Sequence, residues 1–213
     1  MGLDFSGEHL RVVTDRQIAL TASVVAIGAF DGVHRGHQDL IRAAITEARE
    51  SRLPAVVWTF DPPPKVHFGR AARLMPLAEK LSRIAALGPD WVVVAPFTTL
   101  YASRSAADFI ADLARISPAR IHVGADFRFG TRQTGDVALL AQHFPLAEVQ
   151  TTCCCAGEVI SSSRIRALRA VGAHDAAAAL LGAPPPWQML GAALTTTDIR
   201  HMADHKDDHD VWN

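Results

Sequence analysis

No uninterrupted apolar run in this 213-residue chain approaches the roughly 20 residues that a membrane-crossing helix needs, so no membrane association is expected. Charge of one sign is lacking too. The 21 basic and 22 acidic residues leave a formal net charge of −1, which removes the electrostatic case for a DNA- or RNA-binding surface. The opening Met1-Gly-Leu-Asp-Phe-Ser has neither the basic start nor the apolar core of a secretion signal, and a cytoplasmic address is the default expectation. Cysteine is scarce, and all of it is consecutive: Cys153-Cys154-Cys155. Neighbours in a strand point to opposite faces, so this triplet makes neither an ordinary disulfide framework nor, by itself, a tetrahedral zinc site. It reads as small apolar strand residues.

What remains is an ordinary globular composition, 49% hydrophobic and 20% charged, in a chain long enough for one full domain. Apolar runs alternate with helical patterns. Strands are expected over 23–27, 55–60, 91–95, 120–123 and 147–152, and helices over 38–52, 77–87, 106–116 and 137–142. Such alternation predicts an α/β fold, a mostly parallel sheet with helices on both faces and ligands beyond the carboxyl ends of the strands. Residues 163–181 read as further helix, broken near Gly172 and ended by Gly182-Ala-Pro-Pro-Pro. Residues 1–186 are expected to form the domain, and 187–213 a polar, solvated tail rich in His and Asp. Were that tail helical, His201, His205 and His209 would share a face suited to a metal.

The chemistry concentrates in Gly28-Ala-Phe-Asp-Gly-Val-His34-Arg-Gly-His37, where the first strand turns into a helix. A helix N-terminus presents unpaired N–H groups to an anion. Gly28, Gly32 and Gly36 are expected to let a polyanion approach the backbone, and His34 and His37 to stabilise charge developing on phosphate. The Gly-Lys-Ser/Thr ending of a Walker A loop is missing. Thr59-Phe-Asp-Pro62-Pro63-Pro64, followed by Phe68, makes a stiff apolar wall at the same edge, or a plain turn with one packed ring. Val123-Gly-Ala-Asp126-Phe127-Arg-Phe129-Gly130 brings a carboxylate, a guanidinium and two rings there; for either ring, core packing and ligand contact are equal readings. Ile160-Ser-Ser162-Ser163-Arg164-Ile-Arg166 starts a helix with hydroxyls that cap it or bind phosphate oxygens. Its arginines suit bidentate phosphate recognition. The segment from Leu77 through Lys80 to Trp91 reads as structural, a packed helix and the next strand.

In this order and spacing the segments resemble the adenylyltransferase module of the prokaryotic bifunctional riboflavin kinase/FMN adenylyltransferases, within the HxGH nucleotidyltransferase superfamily. The resemblance runs from about residue 24 to 184 and rests on GxFDGVHxGH, TFDPxP, VGxDFRFG and ISSTxxR. It implies a Rossmann-like nucleotidyltransferase fold with a small accessory helical subdomain over roughly 165–182, and the conversion of FMN and ATP, with Mg²⁺, to FAD and pyrophosphate. Carried over, His34, His37 and Arg166 would be catalytic. Gly28, Phe30, Asp31, Gly36, Ser162 and Ser163 would bind the nucleotide. Pro62, Pro64, Phe68, Asp126, Phe127 and Phe129 would line the flavin side, with Asp126 near the phosphates or magnesium. Pro63 stands where many members carry histidine, removing a polar group from the expected pocket rim, and Ser163 replaces threonine while keeping the hydroxyl. The family usually continues into a riboflavin kinase domain, so this chain is not expected to make FMN and would work beside a separate kinase or self-associate. Two rival readings stay open: nucleotidyl transfer with another acceptor, a modified flavin or another nucleoside triphosphate, and a non-catalytic flavin- or nucleotide-binding regulator.

Overall fold

The computed structural model describes residues 10–149 and 157–182. Its strands are β1 (Arg11–Val13), β2 (Ser23–Ile27), β3 (Ala55–Asp61), β4 (Trp91–Pro96), β5 (Pro118–Gly124), a hairpin of β6 (Arg128–Phe129) and β7 (Gly135–Asp136), and β8 (Leu146–Val149). Apart from the hairpin they form one parallel sheet in the order β1-β4-β3-β2-β5-β8. The long helices are α1 (Arg35–Ser51), α3 (Leu77–Ala85) and α5 (Ala106–Ala114), and α2 (Pro64–His67) and α4 (Thr99–Ala102) are single turns. Then come α6 (Val137–Ala141), α7 (Ser162–Ala170) and α8 (His174–Leu181).

Strand alternation divides the core in two. Val24, Ala26, Val57, Val92 and Val94 face one layer, built with Ile41 and Ala44 of α1, Leu81 and Ile84 of α3, Ile165 of α7 and Leu180 of α8. Val25, Ile27, Trp58, Val93 and Ala95 face the other, built with Phe109 and Leu113 of α5 and Leu140 of α6. The expected α/β architecture, with helices on both faces, is the one observed, and α7 and α8 pair with one another as the small helical element.

Several local expectations change. Strand β1 adds to the edge beside β4; three residues beginning with an exposed arginine leave too little pattern to read. Helix α1 starts three residues earlier than its apolar spacing suggests, because His34 is its N-cap and accepts from the His37 N–H. The proline-rich segment is not loop throughout: Pro64 is the first residue of α2, a position where a missing N–H costs nothing. The expected extension of the last strand to residue 152, the cysteine triplet and the tail lie outside the described residues.

The sheet order reverses direction at β2, whose neighbours are β3 and β5. In an open parallel sheet the crevice at such a switch point, beyond the carboxyl ends of the strands, is where ligands bind. The histidine motif leaves β2 there, the proline segment leaves β3 and the Asp126 loop leaves β5.

Candidate active site

The turn between β2 and α1 is tightly determined. Phe30 and Val33 both adopt left-handed backbone conformations, φ +47° and +40°, an arrangement that costs on the order of 1 kcal/mol or more per non-glycine residue. Both are buried, and Gln38 Nε2 fastens the turn by donating to the Val33 and Leu181 carbonyls at 2.9 and 3.0 Å. Two of the glycines are required by this packing. A Cβ on Gly28 would stand 2.7 Å from the Phe30 ring, and one on Gly32, at φ +90°, 2.9 Å from Leu74 Cδ1. On the Cβ side of those two positions the space is filled by the protein itself. Gly36 lies in the first turn of α1.

His34 is buried and its ring stacks on His37 with centroids 3.5 Å apart. Phe30 meets the His37 ring edge-on at 5.3 Å. Burial pushes the His34 imidazole down to about 4. His37 is also held well below the usual imidazole range, by burial first and then by the charges of His34 and Lys80. Both rings are therefore neutral near pH 7. His37 keeps part of its surface at the solvent, while its Nδ1 is buried without a hydrogen-bond partner.

Helix α7 closes on this turn from across the fold. Ser161 caps it, accepting from the Arg164 N–H at 3.2 Å. Ser162 Oγ donates to the Asp31 carbonyl at 2.7 Å, and the Arg166 guanidinium pairs with the buried Asp31 carboxylate. Ser163 stands exposed beside them. Two helix N-termini, of α1 and α7, thus meet at one turn, each offering unpaired N–H groups and the positive end of a helix dipole.

Segment 72–74 braces the junction. Arg166 Nε donates to the Ala72 carbonyl (2.8 Å), Arg169 to that of Leu74 (2.9 Å), and the Leu74 N–H to Asp31 Oδ1 (3.1 Å). Arg73 pairs with Asp61 at 2.8 Å.

After β3, Pro62 and Pro64 are half-buried and Phe68 is 52% exposed, with Phe97 6.0 Å away edge-on. Pro63 is buried at the N-cap of α2. After β5, Asp126 is exposed, Phe127 half-buried and Phe129 buried in the core against Phe109 at 5.1 Å. Of the two rings left open by the sequence, Phe129 is the core residue. Phe60 contacts both Phe97 and Phe109, so one aromatic chain links the segments that follow β3 and β5.

Lys80 is the residue that sequence reasoning missed. It is buried, and its Nζ donates to the Phe60 carbonyl at 2.9 Å. Burial pushes its ammonium down to about 7, opposed by Asp61 and Asp31 and assisted by Arg73. The signal was present: Lys80 interrupts the helical stripe Leu77, Leu81, Ile84, and a charge on an apolar face needs a reason. A separate cavity of about 490 Å³, lined by Arg11, Arg52 and Trp91, opens at the amino ends of the strands, opposite every motif.

Residues 16–164 match the FAD synthetase family. The chain belongs to that family. A Geobacillus thermodenitrificans protein, described under both riboflavin kinase and FMN adenylyltransferase activities, is 48% identical over 167 residues, which are 78% of this chain and 93% of that protein. The bifunctional riboflavin kinase/FMN adenylyltransferase of Escherichia coli K12 is 38% identical over 76% of this chain and 54% of its own length. The chain thus spans nearly all of the first relative and about half of the second. A solved structure described as a macrolide-efflux protein from Streptococcus pneumoniae superposes with a TM-score of 0.71 at 30% identity, over 82% of this chain and 61% of that one. Among the described residues no helix is long and apolar enough to cross a membrane, and no three His, Cys, Asp or Glu side chains converge into a metal-ligand set.

Proposed function

We propose that this FAD synthetase family member transfers AMP from ATP to FMN, releasing FAD and pyrophosphate. The observation that carries the reading is the meeting of two motifs at Asp31, where Ser162 and Arg166 of α7 grip the turn bearing His34 and His37. That junction offers two helix N-termini, a guanidinium and two imidazoles to one polyanion.

The terminal phosphate oxygen of FMN attacks the α-phosphorus of ATP in line. A P–O bond to FMN forms as the bond to the bridging oxygen of the β-phosphate breaks, and pyrophosphate leaves with that electron pair. A phosphate monoester is already anionic near neutral pH, so no general base is needed. Positioning and charge stabilisation supply the catalysis. Mg²⁺ arrives as part of the ATP substrate, where it neutralises triphosphate oxygens. Neutral His34 and His37 donate N–H hydrogen bonds to the triphosphate. Arg166, Ser162 and Ser163 hold the β- and γ-phosphates, and Gly28, Phe30, Asp31 and Gly36 shape the turn around them.

Pro62, Pro64 and Phe68 form one wall of the flavin pocket and Phe127 faces it, backed by Phe129, with Asp126 at the rim. Residues 1–186 act as one nucleotidyltransferase domain, with 187–213 outside it. FMN and ATP are its substrates, and the reaction takes place in the cytoplasm.

The test is a pyrophosphate-release assay with FMN, ATP and Mg²⁺, with the product identified by mass spectrometry. FAD formation is expected. Pyrophosphate release only with another acceptor or nucleotide, or none with any, would replace this reading.

A further inference from the structure

Lys80 has no part in the motifs above, yet it is buried beneath them. Its Nζ rests on the Phe60 carbonyl at the end of β3. Four charged or titratable groups interact with it electrostatically, each from a different place: Asp61 from β3, Asp31 from the β2–α1 turn, Arg73 from the loop before α3, and His37 from α1. Each carboxylate already has an arginine, Arg73 on Asp61 and Arg166 on Asp31. The two ion pairs balance, so the Lys80 ammonium is the surplus charge of the cluster.

We propose that Lys80 is a positioning residue of the nucleotide site, a buried counter-charge that gains a proton from solvent when the triphosphate binds above it. The inference rests on the phosphate site lying at the His34 turn, as proposed for the reaction. Without nucleotide the surplus charge is poorly solvated, and burial holds the amine near the midpoint of its titration at pH 7. A triphosphate at the two helix N-termini draws on Arg166 and adds negative charge next to the amine, which favours the ammonium. The balance is simple: the neutral amine binds one proton released by the buffer, with no bond to substrate. Arg166 can then turn from Asp31 toward phosphate without leaving the cluster acidic.

The experiment is calorimetric titration of the full chain with MgATP at about pH 8, in two buffers of different ionisation enthalpy. At that pH an amine titrating near 7 is about nine-tenths neutral, so uptake approaching ~0.9 proton per bound nucleotide is expected. His34 and His37 lie too far below that pH to contribute. Binding without uptake overturns the proposal and leaves the AMP-transfer reading standing, whereas no MgATP binding overturns both. Lys80→Met is expected to keep the melting temperature or raise it, to lose the uptake and to bind MgATP at least about tenfold more weakly. Uptake that survives in Lys80→Met overturns the proposal. Lys80→Arg, permanently charged, should bind MgATP without uptake, and uptake in that variant would equally overturn it.

Discussion

The imidazoles of His34 and His37 stack with centroids 3.5 Å apart and planes within 19° of parallel. Two charged rings would repel at that distance, and burial reinforces the neutral state of both. The pair is thus a donor array held neutral, with positive charge delegated to the guanidinium of Arg166 nearby.

The first consequence concerns acid. The His34 ring titrates near 6.5 when unfolded and near 4 when folded, so between those values the unfolded chain binds more protons. Stability from this group is full above about 6.5 and falls as pH drops through 4, by about 3 kcal/mol in all. In His34→Asn, which can still cap α1, the fall in melting temperature between pH 7 and 4.5 should be visibly smaller than in the parent. An unchanged slope would show that His34 does not carry the acid sensitivity.

Arg166 and Asp31 test the difference between holding phosphate and holding the fold. Arg166→Ala should lower turnover by about two orders of magnitude or more and also destabilise, because it strands a buried carboxylate, at a cost of about 3 kcal/mol. Adding Asp31→Asn should restore most of the melting temperature while leaving turnover low. Recovery of both together would place Arg166 outside the chemistry.

Phe68 separates the acceptor from the nucleotide. Its ring is half exposed, so Phe68→Ala should shift the melting temperature little. Steady-state kinetics should show KM for FMN rising about tenfold, with KM for ATP unchanged, because a stacking surface for an aromatic ligand has been removed. Equal changes in both would point to a role in the shape of the site as a whole.

Gly28→Ala forces a Cβ to within 2.7 Å of the Phe30 ring, which must move and take with it the edge contact on His37. We expect a loss of about 1–3 kcal/mol in denaturant unfolding together with a marked fall in turnover. Wild-type turnover would mean that the Phe30 ring can be displaced without disturbing the histidines.

The central strands were legible because Val24 through Ile27 and Val92 through Val94 are continuous apolar runs, as strands buried on both faces require. The turn bearing His34 and His37 was legible as well, since strand, glycines, histidines and helix follow without interruption. Contacts across the fold were not. That Ser162 binds the Asp31 carbonyl, that Leu74 fills the place of a Gly32 side chain, and that Phe129 rather than Phe127 enters the core all depend on segments far apart in the chain. The β6–β7 hairpin, with two residues per strand, is likewise too short to show a period. Lys80 was legible only as a charge interrupting the apolar stripe of its helix, and its partner, the Phe60 carbonyl, lies on another element.

Segment 72–74 has a consequence for how this chain tolerates change. Its backbone carbonyls receive Arg166 and Arg169, its Leu74 N–H holds Asp31, and Arg73 reaches back to Asp61 at the foot of the proline wall. Most of these contacts are made by the main chain, so they constrain the length of the segment more than its composition. Side-chain replacement at Ala72 leaves its carbonyl in place, whereas insertion or deletion of one residue would put both halves of the crevice out of register. The segment works as a keystone, and its spacing is a more stringent requirement than its spelling.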